Sequence, residues 1–87
     1  MEIANERILA AKNAIASVTV DIEACRAARE EGRRIGALME MNVSDGAAVA
    51  RARTCAYVAR HLAEQGQILE ACLRLGEAEG YARCIQL

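Results

Sequence analysis

Asn42-Val43-Ser44-Asp45-Gly46 divides the chain near its middle, and its reading decides the fold. Asn and Gly favour turns, and Ser44 or Asp45 can cap a following helix by accepting a backbone N–H. On both sides the apolar residues recur at helical spacing. Upstream, Ile8, Ala11, Ile15, Val18, Ile22 and Cys25 alternate steps of three and four, a coiled-coil-like seam. Downstream, Cys55, Val58, Leu62, Gln65, Leu69 and Cys72 repeat it. A short turn between two long helices returns the chain antiparallel. The expected fold is therefore all-α: one domain over residues 1–87, with a helix over about 3–41, a turn at 42–46 and a helix over about 46–83. Each arm would reach ~50 Å at ~1.5 Å per residue.

Two places weaken the long helices. Ser17-Val18-Thr19-Val20-Asp21-Ile22 is rich in β-branched residues, which lower helix propensity. A strand is the competing reading there, but the seam passes through, so a helix with a local bend is expected. Gly66 costs about 1 kcal/mol in a helix interior relative to Ala. The second helix is expected to run through it, continuous or kinked, with a split there as the alternative. Gly76 and Gly80 weaken the C-terminal end, and the tail carrying Tyr81, Cys84, Ile85 and Leu87 is expected to fray or to dock on a neighbouring chain.

Beside the downstream seam of large residues lies a second one of small residues: Ala52, Ala56, Ala59, Ala63 and Gly66. A two-helix hairpin covers only one of the two, so the other predicts a homodimer, a four-helix bundle of two hairpins. Ala24, Ala28, Gly32 and Gly36, spaced by four, also permit close helix approach, either within the fold or between chains. The expected oligomer interface thus contains Ala52, Ala56, Ala59, Ala63, Gly32 and Gly36. A chain with no Pro, Trp or Phe and only two tyrosines builds a thin core, which also favours self-association.

A net charge of −1 with intermixed signs argues against a dedicated nucleic-acid binder. No stretch approaches the ~20 apolar residues that span a bilayer, and the N-terminus lacks a signal-peptide pattern. A cytoplasmic protein of a bacterium or a phage-infected host is expected. The Arg-rich, Lys-poor and Ala-rich composition agrees with a GC-rich genome. Cys25, Cys55, Cys72 and Cys84 contain no C-x-x-C pair, so they read as reduced thiols, the first three as small core residues. A metal site joining cysteine to His61 and a disulfide are the weaker alternatives.

Arg26, Arg29, Arg33 and Arg34 cluster on the first arm, with Glu23, Glu30 and Glu31 three or four residues away. Such pairs usually form a solvated face. Tyr57 and His61, four apart, can stack. Arg26, Arg29, Arg33, Tyr57 and His61 are the candidate partner-binding residues, because Arg and Tyr are favoured in interface hot spots. No phosphate loop, zinc motif, calcium loop or dinucleotide fingerprint is present, so no cofactor or metal and no enzymatic activity are expected. The expected function is a protein–protein interaction module: a small helical homo-oligomer acting as a chaperone-like adaptor, a regulator or a phage-encoded inhibitor by occluding a partner surface. The alternative is nucleotide or nucleic-acid binding through the arginines at an oligomer interface.

Overall fold

The computed structural model describes residues 2–18, 21–39 and 44–85. Among them are four helices and no strand: α1 (Glu2–Ala16), α2 (Ile22–Met39), α3 (Asp45–Glu64) and α4 (Ile68–Ile85). The all-helical expectation holds. The two long helices do not, because each is divided in two. The chain measures 36 × 22 × 17 Å, too short for a ~50 Å arm.

Local chemistry explains both divisions. The α1 ladder closes at Ser17, whose hydroxyl donates to the Ala14 carbonyl at 2.9 Å. Asp21 then caps α2, its Oδ1 accepting the Ala24 N–H at 3.0 Å. The break falls in the β-branched run, and Thr19 and Val20 lie outside the described residues. At the other division Gly66 takes φ +83°, a left-handed conformation that glycine adopts without Cβ strain. The Gly66 N–H donates to the Ala63 carbonyl at 3.1 Å, and the Gln67 N–H to the Leu62 carbonyl at 2.9 Å. This double closure of a helix end needs the left-handed residue that Gly66 supplies. The split reading of Gly66 is therefore the correct one. The expected central turn survives in part: Ser44 caps α3, its Oγ accepting from the Ala47 N–H at 3.3 Å, while residues 40–43 lie outside the described residues.

Helix α4 is the hub and packs on α2, α3 and α1, while α1 and α2 barely touch. On α1, Ala4, Ile8, Ala11 and Ile15 form the buried stripe. Across from it on α3, Ala52, Ala56, Ala59 and Ala63 are 0–2 % exposed. Arg7 lies over Tyr57, and Asn13, Ala14 and Ser17 lie beside Arg60, Ala63 and Glu64, so α1 and α3 run in the same direction. So do α2 and α4. A Cβ on Gly32 would fall against Gly76 and on the Leu73 carbonyl, and one on Gly36 would meet the Gly80 Cα at 3.1 Å. Two Gly-x-x-x-Gly segments thus face each other and bring the two backbones together.

These contacts place the residues expected at an oligomer interface in the interior of one chain. Ala52, Ala56, Ala59, Ala63, Gly32 and Gly36 are all buried inside one chain. The four helices come from a single copy, and the small-residue strips need no second one to cover them.

Candidate functional site

Because α1 and α2 both lean on α4 and barely touch each other, a groove stays open between them. It encloses about 530 Å³. Ile15 from α1, Ile22 and Cys25 from α2, and Cys72 and Leu75 from α4 form its apolar lining. Ile22 is 66 % exposed, a large apolar side chain left on the rim. The polar lining is Lys12, Arg26, Arg29, Arg33 and Glu30: four cations and one carboxylate. The chain as a whole carries a net charge of −1, so the groove is locally of opposite sign.

One half-buried carboxylate organises the cations. Glu79 on α4, its side chain 14 % exposed, accepts from Arg29 Nε at 2.6 Å and Arg29 Nη2 at 2.5 Å, a bidentate pair. Arg33 Nε adds a bond to it at 3.3 Å, and Lys12 Nζ lies 3.5 Å away. Three cations from two helices therefore share one anion on a third. Burial alone would raise the Glu79 pKa, but the hydrogen bonds and charges of Arg29 and Arg33 outweigh it and hold the carboxyl below its ordinary value. The Arg29 pKa is raised chiefly by its hydrogen bond to Glu79. Through Glu79 on α4, this cluster ties α1 to α2.

The candidate residues fall into two separate places. Arg26, Arg29 and Arg33 line the groove together. Arg26 pairs with Glu23 at 3.6 Å and Arg33 with Glu30 at 2.9 Å, the expected short-range partners. Arg29 departs from that expectation by reaching Glu79. Tyr57 and His61 lie on the exposed face of α3, ring centroids 4.4 Å apart in an edge-to-face pair, with Arg7 stacked on Tyr57 and His61 Nδ1 3.4 Å from Glu64. They take no part in the groove. Sequence reasoning missed Lys12 and Glu79. Glu79 stands 50 residues from Arg29, so no local spacing signals the pair.

The cysteines behave as core residues. Cys25 and Cys72 are buried and Cys55 is half-buried. Burial, with a further contribution from Cys25, pushes the Cys72 thiol up to about 12. Burial and the Glu77 carboxylate, which accepts from Cys55 Sγ at 3.5 Å, push Cys55 up to about 11. Cys84 lies outside the described side chains. Among the described residues no three metal-ligating side chains converge, and no helix is long and apolar enough to cross a membrane.

Comparison with family models, with curated proteins and with solved structures finds no match to this chain.

Proposed function

We propose that this protein is a non-enzymatic interaction module that works by occlusion, with the α1–α2 groove as the face that receives a partner protein. The observation carrying this reading is the gap itself. Two helices are held apart over a third, and the space between them has an apolar floor, a cationic rim and an exposed Ile22. A helical protein that closes its other seams with Ala and Gly leaves this one unfilled. Adaptor, regulatory and inhibitory roles all follow from covering a partner surface in this way.

Self-association was expected from an uncovered alanine strip, and that strip is now covered within the chain. The partner we propose for the groove is a different protein. Nucleotide binding is the weaker reading. Arg29 and Arg33 already share Glu79, and a phosphate would have to displace it. No aromatic ring lines the groove to stack a base.

The test is site-specific photo-crosslinking in cells that naturally produce the protein. A photoreactive residue at Ile22 should give one dominant protein adduct, and the same residue at Arg60, on the exposed face of α3, should not. Identical adduct patterns from both positions, or none from Ile22, would remove the reading.

A further inference from the structure

A partner segment entering this groove meets helices on both sides and beneath it. Among the described residues there is no strand, so no sheet edge is available to pair with an extended chain. An extended segment would bury backbone N–H and C=O groups without partners, whereas a helix satisfies its own. Helices pack at ~8–10 Å between axes, so a fifth helix laid over α4 would bridge α1 and α2. The lining sets the chemistry of that helix. Ile15, Ile22 and Leu75 call for an apolar stripe. The cations outnumber the carboxylates even when Glu79 is counted with Glu30, so the flanks of the stripe call for acids. Arg26 is the most available cation. Its side chain is 67 % exposed and its contact with Glu23 is a solvated surface pair.

Resting on the docking reading above, we infer that the groove takes an acidic amphipathic helix of the partner, and that Glu79 is the internal anion with which that helix competes. Lys12, Arg29 and Arg33 are held in place by Glu79, which keeps the groove from collapsing or repelling itself when empty. The same carboxylate repels an incoming acid. Glu79 thus trades affinity for a stable empty state, and selects partners whose acids reach Arg26 and the outer edges of Lys12 and Arg33.

The experiment uses the full chain and two synthetic helical peptides with the same Leu and Ala stripe, one flanked by Glu and one by Lys, with binding followed by fluorescence anisotropy. The Glu peptide should bind about tenfold more tightly than the Lys peptide, and the difference should shrink as salt rises. Glu79→Gln should tighten the Glu peptide by about fivefold. Arg26→Glu changes an exposed residue and leaves the fold intact, and it should reverse the preference between the peptides. Equal binding of both peptides, or an unchanged preference in Arg26→Glu, would overturn the inference. So would weaker Glu-peptide binding by a Glu79→Gln protein that remains helical by circular dichroism. If neither peptide binds while Ile22 still crosslinks a protein in cells, the acidic-helix inference falls and the docking reading stands. If the Glu peptide binds as expected and Ile22 crosslinks nothing, the acid preference stands and the docking function falls.

Discussion

Replacing Gly76 by Ala sets two large effects against each other. In the helix interior, Ala is favoured over Gly by ~1 kcal/mol. Against this, a Cβ on Gly76 would overlap the Arg29 carbonyl oxygen and approach the Arg33 nitrogen to 2.9 Å. Both are backbone atoms, so no side chain can turn aside and α2 must lift away from α4. Overpacking of a core typically costs ~1–3 kcal/mol, and a backbone obstacle places this case at the upper end. The net loss is then about 2 kcal/mol, which for a domain of this size lowers Tm by ~10 °C. Circular dichroism at 222 nm during heating, with a urea titration, measures it. Gly46→Ala is the internal control, because nothing lies within 4 Å of its Cβ position and no overlap opposes the change. Gly32→Ala should resemble Gly76→Ala, and the double variant should cost less than the sum, since one separation relieves both overlaps. A Gly76→Ala protein as stable as the parent would refute the close approach of α2 and α4.

Ala56→Leu, at a position 0 % exposed between α1 and α3, should destabilise by ~1–3 kcal/mol at every protein concentration, as urea melts at two concentrations would show. An effect growing with concentration would restore the seam to an oligomer. The Glu79 pKa is depressed on folding, so its contribution is complete above the unfolded value of ~4.3 and is lost as pH falls through the lower folded value. Tm measured from pH 7 to pH 3 should fall less steeply below about pH 4.5 in Glu79→Gln than in the parent. Cys55 and Cys72, with thiols raised to about 11 and about 12, should label with iodoacetamide at pH 8 at least ~100-fold more slowly in the native protein than in urea, read by peptide mass spectrometry. The same raised values mean that their contribution to stability is intact below about pH 8.5 and is lost as pH climbs through the folded values.

The sequence makes the helical class legible because its apolar spacing is helical throughout. Ile8, Ala11 and Ile15 were readable as core and are core. The same seam fails one turn later: Val18 and Ile22 are exposed, because the chain breaks between them and α2 begins on a new phase. On α3 and α4 the emphasis was reversed. Val58 and Leu69, expected in the seam of large residues, are exposed, while the alanines are buried. A period of three and four marks a face without saying which of two faces wins. Here the small face won, since Ala and Gly let helices approach until backbone meets backbone. The arginine side of the groove was visible as a cluster. Its organising anion was not, because the Arg29–Glu79 pair exists only once α2 lies beside α4.

The parallel pairing of α2 with α4 also bears on the order of folding. Among the described residues, the neighbours in sequence that pack closely are α3 and α4, joined by a three-residue turn at Gly66, and such local contacts close fastest. The two glycines of α2 find their counterparts 44 positions downstream, across a whole intervening helix. During synthesis α1 and α2 therefore leave the ribosome with little to hold on to in each other. They wait, as isolated helices of marginal stability, until residues 76–80 emerge.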